Sequence, residues 1–179
     1  MTTKLPTEAS IVIIGGGVIG CSLAYHLGEL GQREVLLLER KQITSGTTWH
    51  AAGLVAQLRA TRNLTQLAKY SADLYATLEE KTELATGYRQ TGSVSLALTR
   101  ERLEELKRNA AMASIFGVEA DMLSPTECLT LYPHLNLEGV EGGVHVPGDG
   151  QADPVNVTMA LAKGARMAGV RIMEPVRVT

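Results

Sequence analysis

Ser10-Ile11-Val12-Ile13-Ile14-Gly15-Gly16-Gly17-Val18-Ile19-Gly20 is the stretch that decides the fold. Ile11 to Ile14 is a short apolar run, the pattern of a strand buried on both faces. Gly15, Gly17 and Gly20 follow with the spacing G-x-G-x-x-G. Gly15 lets the chain turn out of the strand. Gly17, without a Cβ, lets a pyrophosphate approach the backbone, and Gly20 lets the next helix lie close to the sheet. That helix, from Val18 to about Leu30, points unpaired N–H groups and its positive end at the phosphates. Gly31 suits the helix C-terminus.

A second strand, Glu34 to Leu38, runs into Glu39. The acid lies about 20 residues past the glycines, where a carboxylate accepts hydrogen bonds from a ribose diol. It also disfavours a 2′-phosphate, and so NADP. A lone G-x-G-x-x-G is a weak signal. Here a strand precedes it, a helix follows, and a second strand ends in an acid, which together point to nucleotide binding. The alternative, a glycine-rich turn with no ligand, leaves Glu39 without a purpose.

The bulk numbers narrow the class. A chain of 179 residues with 45% hydrophobic residues, mean hydropathy +0.04 and net charge −2 reads as an ordinary soluble globular protein, and the strand–helix–strand opening makes its class α/β. No basic surface for nucleic acid is advertised. No apolar run approaches a membrane span, and Met1 to Ala9 is polar and too short for a signal or transit peptide. Cys21 and Cys128 are far apart and form no metal-like pair. Cys21 reads as a small buried residue, and a reducing compartment fits. These features together predict a cytoplasmic protein.

After Glu39 and Arg40 comes Thr44-Ser45-Gly46-Thr47-Thr48-Trp49-His50-Ala51-Ala52-Gly53. Small residues permit close backbone approach to a flat ligand, and hydroxyls supply hydrogen-bonding groups. From composition alone, a polar loop with an incidental His is an equal reading. The glycine fingerprint followed by this segment resembles the sarcosine and dimethylglycine dehydrogenase family, within the D-amino-acid-oxidase-like class of FAD enzymes. The resemblance continues through Gly87-Tyr88-Arg89-Gln90-Thr91-Gly92-Ser93, Leu123-Ser124-Pro125-Thr126-Glu127 and Val146-Pro147-Gly148-Asp149-Gly150-Gln151-Ala152-Asp153-Pro154. It implies FAD as cofactor, with His50 as the residue joined covalently to the 8α carbon of the flavin. Imidazole suits that attack because a neutral, nucleophilic nitrogen is available near pH 7. Gly15, Gly17, Gly20, Glu39, Arg40, Ser45, Thr47, Thr48, His50 and Gly53 form the candidate cofactor-binding set.

Helical spacing from Leu64 to about Leu84 predicts a helix with Asn63 as N-cap. Val94, Leu96 and Leu98 alternate with small residues as a half-buried strand. Thr99 is placed to cap a helix over 100–116, with Leu103, Leu106, Ala110 and Ala113 as its apolar stripe and Gly117 as its stop. Ser124-Pro125-Thr126-Glu127 reads as a capping box, and Asp153-Pro154 as a second cap before a helix from Val155 to Met167. Val170 to Met173 is a return strand of the parallel sheet, Pro175 breaks it, and Val176 to Thr179 begins another. His26, His134 and His145 read as structural.

The predicted architecture is a Rossmann-like FAD-binding domain with the beginning of an inserted α+β region. Residues 1–60 hold the βαβ and flavin-contact segment, 61–150 the insertion, and 151–179 the return to the sheet. The chain is expected to be an N-terminal piece of an incomplete domain. The activity implied by the resemblance is oxidation of an N-methylated glycine, a small-molecule amine substrate, by hydride transfer to flavin. Tetrahydrofolate use is implied only for a full-length form, and no residue identifies the electron acceptor or a catalytic group. The rivals are a non-covalent amino-acid oxidase, a non-catalytic regulatory protein on the same scaffold, and an NAD-binding Rossmann domain.

Overall fold

The computed structural model describes residues 5–179, so the first four residues of the polar N-terminal stretch lie outside the described residues. In chain order the elements are β1 (Ile11–Ile14), α1 (Val18–Glu29), β2 (Val35–Leu38), a 3-10 turn (Thr48–His50), β3 (Leu54–Val55), α2 (Arg62–Thr82), β4 (Ser93–Ala97), α3 (Arg100–Ile115), β5 (Asp121–Leu123), α4 (Pro125–Leu131), β6 (Gly142–Val146), β7 (Gly150–Gln151), α5 (Pro154–Met167) and β8 (Arg171–Met173). They divide into two compact units. One comprises residues up to Leu54 with 74–88 and 152–179; the other comprises 55–73 and 89–151.

The first unit is built on a parallel sheet in the order β1-β2-β8. Ile11 faces Val35 in register, and Leu36 faces Arg171. One face of the sheet supplies Ile13, Val35 and Leu37 to a core shared with Cys21, Ala24 and Tyr25 of α1 and Val157, Leu161 and Ala165 of α5. Burial of β2 is complete along its length. Only half of the expectation for β1 holds. Ile13 is buried, but Val12 is 51% and Ile14 69% exposed. Successive strand side chains point to opposite faces, and the α1–α5 core covers only the Ile13 face. A second expectation fails at the end of the chain, where 176–179 form no strand. Val176 N–H donates to Glu39 O at 2.7 Å, but Pro175 before it has no N–H to offer a ladder.

The second unit holds an antiparallel sheet in the order β4-β6-β5. Ser95 faces Val144, which faces Met122 on the other side. Its core joins Ala97, Val144 and Val146 of the sheet to Leu106 and Ala113 of α3, with Leu103 and Ala110 packed beside them. Of the caps read from sequence in this unit, those at Thr99 and Ser124 are formed. Thr99 Oγ1 accepts from Arg102 N–H at 3.2 Å. The Ser124–Glu127 capping box closes from both sides. Helix α2 begins two residues earlier than predicted. Thr61, not Asn63, sits at the start, its hydroxyl facing Leu64 N–H at 3.4 Å and its carbonyl accepting from Thr65 N–H at 3.0 Å.

Candidate cofactor site

The first unit carries the candidate site, at the C-terminal ends of β1 and β2. Gly15 leaves β1 with φ +111, and its N–H donates to Leu38 O at 2.8 Å, tying the loop to the neighbouring strand. Gly20 is where close packing is unavoidable. A Cβ there would lie 2.0 Å from Gly15 O. The glycine spacing therefore serves the chain's own turn as well as any ligand.

Glu39 sits at the mouth of the loop. Its Oε2 accepts from Gly16 N–H at 2.7 Å and its Oε1 from Lys41 N–H at 2.8 Å. Partial desolvation pushes the carboxyl upward, but these two bonds and the Arg40 charge outweigh it and hold Glu39 below the usual carboxylate range. It is an anion with lone pairs still open to a diol. Cys21 donates its Sγ–H to Gly16 O at 3.7 Å from under the loop. Burial pushes that thiol up to about 12, so it stays protonated and packs as a small apolar group.

The segment after Glu39 folds back over the start of α1. Thr44 N–H donates to Gly16 O at 3.0 Å, and Glu174 accepts Ile43 N–H at 2.6 Å. Thr48 Oγ1 accepts Val18 N–H at 3.0 Å. Gly53 O accepts Ala152 N–H at 2.8 Å. Between these anchors the 3-10 turn presents Trp49 and His50 to solvent, their ring centroids 3.8 Å apart.

Gly15, Gly17, Glu39, Arg40, Ser45, Thr47 and Thr48 of the predicted set line one cleft of about 450 Å³. Gly20, His50 and Gly53 do not line it. Gly20 packs on Gly15, Gly53 on Ala152, and His50 stands exposed on the turn. Sequence reading missed Gly16, whose N–H binds Glu39, and Glu174, whose bond to Ile43 spans 131 positions. The middle glycine of a triple was a signal for the first; nothing in the sequence marks the second. A further cleft of about 390 Å³ adjoins the ends of β1 and β2, between Glu39 and Val176 to Val178.

The donors fit a dinucleotide. Cys21 N–H makes the first intrahelical bond, to Gly17 O, so the N–H groups of Ile19 and Gly20 have no acceptor within α1. They lie at its positive end. At the other end of the cleft, Glu39 supplies the acceptor a ribose needs. This is the constellation of a dinucleotide-binding α/β protein.

Comparison with known proteins gives the class. Residues 10–179 match the family FAD dependent oxidoreductase, and the chain belongs to it. It is 43% identical over 176 residues to the mitochondrial sarcosine dehydrogenase of Homo sapiens, covering 98% of this chain and 19% of that protein. It is 44% identical over 172 residues to the mitochondrial dimethylglycine dehydrogenase of Rattus norvegicus, covering 96% and 20%. The chain thus spans about a fifth of the length of these curated relatives. The crystal structure of L-proline dehydrogenase from P. horikoshii superposes with TM-score 0.90 at 30% identity, covering 98% of this chain and 46% of that one.

These relatives correct one expectation. Both dehydrogenases are mitochondrial, which points away from a cytoplasmic protein. The cytoplasmic reading rested on unpaired cysteines, the lack of an apolar span and the short polar stretch Met1 to Ala9. None of the three names a compartment: cysteines and hydropathy report redox state and solvent, and they do not separate one thiol-reducing compartment from another.

Proposed function

We propose that this chain is the dinucleotide-binding part of an FAD-dependent amine dehydrogenase acting on an N-methylated glycine such as sarcosine or dimethylglycine. The carrying observation is one cleft that gathers the glycine loop, Glu39 and the Ser45–Thr48 segment. The relatives named sarcosine and dimethylglycine dehydrogenase support the substrate class. When bound, FAD supplies the two-electron acceptor for oxidation of the amine carbon. The chain's residues supply its seat. Glu39 takes the ribose diol, Ile19 N–H takes the pyrophosphate, and Ser45 and Thr47 bound the far side. His50 would supply the imidazole nitrogen through which the flavin is held at its 8α carbon.

One observation favours a second reading, flavin held without a bond: the His50 ring does not line the cleft. Acid denaturation followed by gel electrophoresis decides between them. Flavin fluorescence travelling with the polypeptide, and lost in His50→Ala, supports attachment. Release of all flavin into the acid supernatant supports the non-covalent oxidase. The substrate class is tested by anaerobic bleaching of bound flavin with sarcosine and with dimethylglycine; failure of both removes it.

A further inference from the structure

Two adjacent threonines of the flavin-side segment are built for different work. Thr47 is exposed. Thr48 is only 7% exposed, and its Oγ1 accepts Val18 N–H at 3.0 Å. A Cβ on Gly17 would come within 3.2 Å of that oxygen, so the hydroxyl is pressed against the helix start. The first N–H of α1 is thereby satisfied by a side chain 30 positions away.

The same residue opens the 3-10 turn that ends at His50. Thr48 O accepts Ala51 N–H at 3.1 Å, closing the turn around Trp49 and His50. One residue thus grips the N-terminus of α1 with its side chain and closes the turn that carries the imidazole with its main-chain carbonyl. The other anchors, Thr44 to Gly16 and Gly53 to Ala152, lie further along the chain on either side. Both ends of the Thr48 link belong to parts that must hold still. One is the helix end that receives the phosphates; the other is the turn that presents His50.

We propose that Thr48 is a positioning residue: its hydroxyl, by holding Val18 N–H, fixes where His50 stands relative to the phosphate-binding end of α1, and it is not itself a phosphate ligand. The proposal rests on the reading of His50 as the flavin-attachment residue. It differs from two plainer roles. A residue that only fills space is replaced without loss by isosteric valine. A phosphate ligand, once removed, lowers total flavin and attached flavin together.

Three variants separate these roles. Thr48→Val removes the acceptor and keeps the shape, and Thr48→Ser keeps the acceptor. Val18→Pro removes the donor at the first helical position, where proline is tolerated. Gly17 has φ −80 and ψ −179, the extended conformation a residue before proline adopts. Two readouts are taken on the whole protein expressed in riboflavin-replete cells. The first is the ring resonance of His50 in histidine-labelled protein, assigned with His50→Ala; the Trp49 ring beside it displaces that resonance. The second is the ratio of attached to total flavin.

In Thr48→Val and in Val18→Pro the His50 resonance is expected to move towards the free-histidine position. Attached flavin falls at least tenfold, while total flavin stays within about twofold. Thr48→Ser keeps both readouts, and the double variant Thr48→Val/Val18→Pro is no worse than either single one. If Thr48→Val does not fold, Val18→Pro carries the test with the hydroxyl intact. An unmoved His50 resonance in the folded variants overturns the proposal, as does an equal loss of attached and total flavin. Wild-type protein with no attached flavin refutes the attachment reading instead, and the resonance still judges Thr48.

Discussion

The nucleotide unit and the antiparallel unit both press backbone against backbone at glycine, but over different distances along the chain. In the first, Gly20 lies against the carbonyl of Gly15, within one loop. In the second, Gly143 on β6 is pressed between Ser95 O on β4 and Cys128 Sγ on α4; an added Cβ would meet them at 2.9 and 2.8 Å. A contact within one loop leaves its mark as a fixed spacing of glycines. A contact between distant elements leaves one glycine in a strand, which reads as any other. The same physical demand is therefore legible in one unit and silent in the other.

The largest effects should come from breaking these contacts. Gly20→Ala puts a methyl carbon into a backbone oxygen that the Gly15 turn holds in place. A loss of about 3 kcal/mol or more is expected, with loss of flavin. Gly143→Ala should cost about 1–3 kcal/mol, because the Cys128 thiol can rotate but the Ser95 carbonyl is held in the sheet. Urea unfolding of both variants checks the order. Gly143→Ala proving costlier than Gly20→Ala would reverse the comparison.

Other parts of the fold follow the same rule of distance. The caps at Thr99, Ser124 and Asp153 were readable because a cap and its N–H partner lie within three residues. The start of α2 was misread by two residues because Thr61 and Asn63 are both good caps, and nothing local separates them. Exposure of Val12 and Ile14 could not be read at all, since an apolar run states what a strand tolerates and not what covers it. In the site, Glu39 was legible by its place after β2. The Glu174 bond to Ile43 and the Thr48 bond to Val18 join segments whose neighbourhood exists only once the sheet forms.

A middle-sized pair of effects sharpens the comparison through two carboxylates. Asp149 in the antiparallel unit is 4% exposed and accepts from Gln57 N–H at 2.8 Å and Ser93 Oγ–H at 2.6 Å. Glu39 has a comparable pair of donors but stands half-buried, facing a cleft. Asp149→Ala should cost about 1–3 kcal/mol of stability by leaving buried donors unpaired. Glu39→Ala should cost less stability, because water replaces its bonds, yet weaken FAD binding by about 1.5–3 kcal/mol. Unfolding and flavin titration on both variants separate the two. Equal losses in both assays for both residues would show that one carboxylate is not structural and the other not ligand-directed.

The smallest effect tests the state of Glu39 itself. Burial raises its affinity for a proton, while the Gly16 and Lys41 N–H groups and the Arg40 charge lower it by more, so the folded chain holds the carboxylate below its ordinary range. A depressed folded pKa contributes stability that is fully present above the unfolded value, about 4.3 for glutamate. That contribution fades as the pH falls through the lower folded value, because the protonated acid is a weaker acceptor for Gly16 and Lys41 N–H and no longer carries the charge that Arg40 favours. Solvent reaches this carboxylate, so the contribution is small and is best read as a difference. The urea midpoints of the wild-type chain and Glu39→Gln, measured from pH 7 to pH 3, should stand apart by a constant amount above pH 5. They should draw together below about pH 4, with the wild type losing ground. A gap that stays constant or widens on acidification would mean that the carboxylate does not depend on these N–H groups, and that the glycine loop keeps its shape without Glu39.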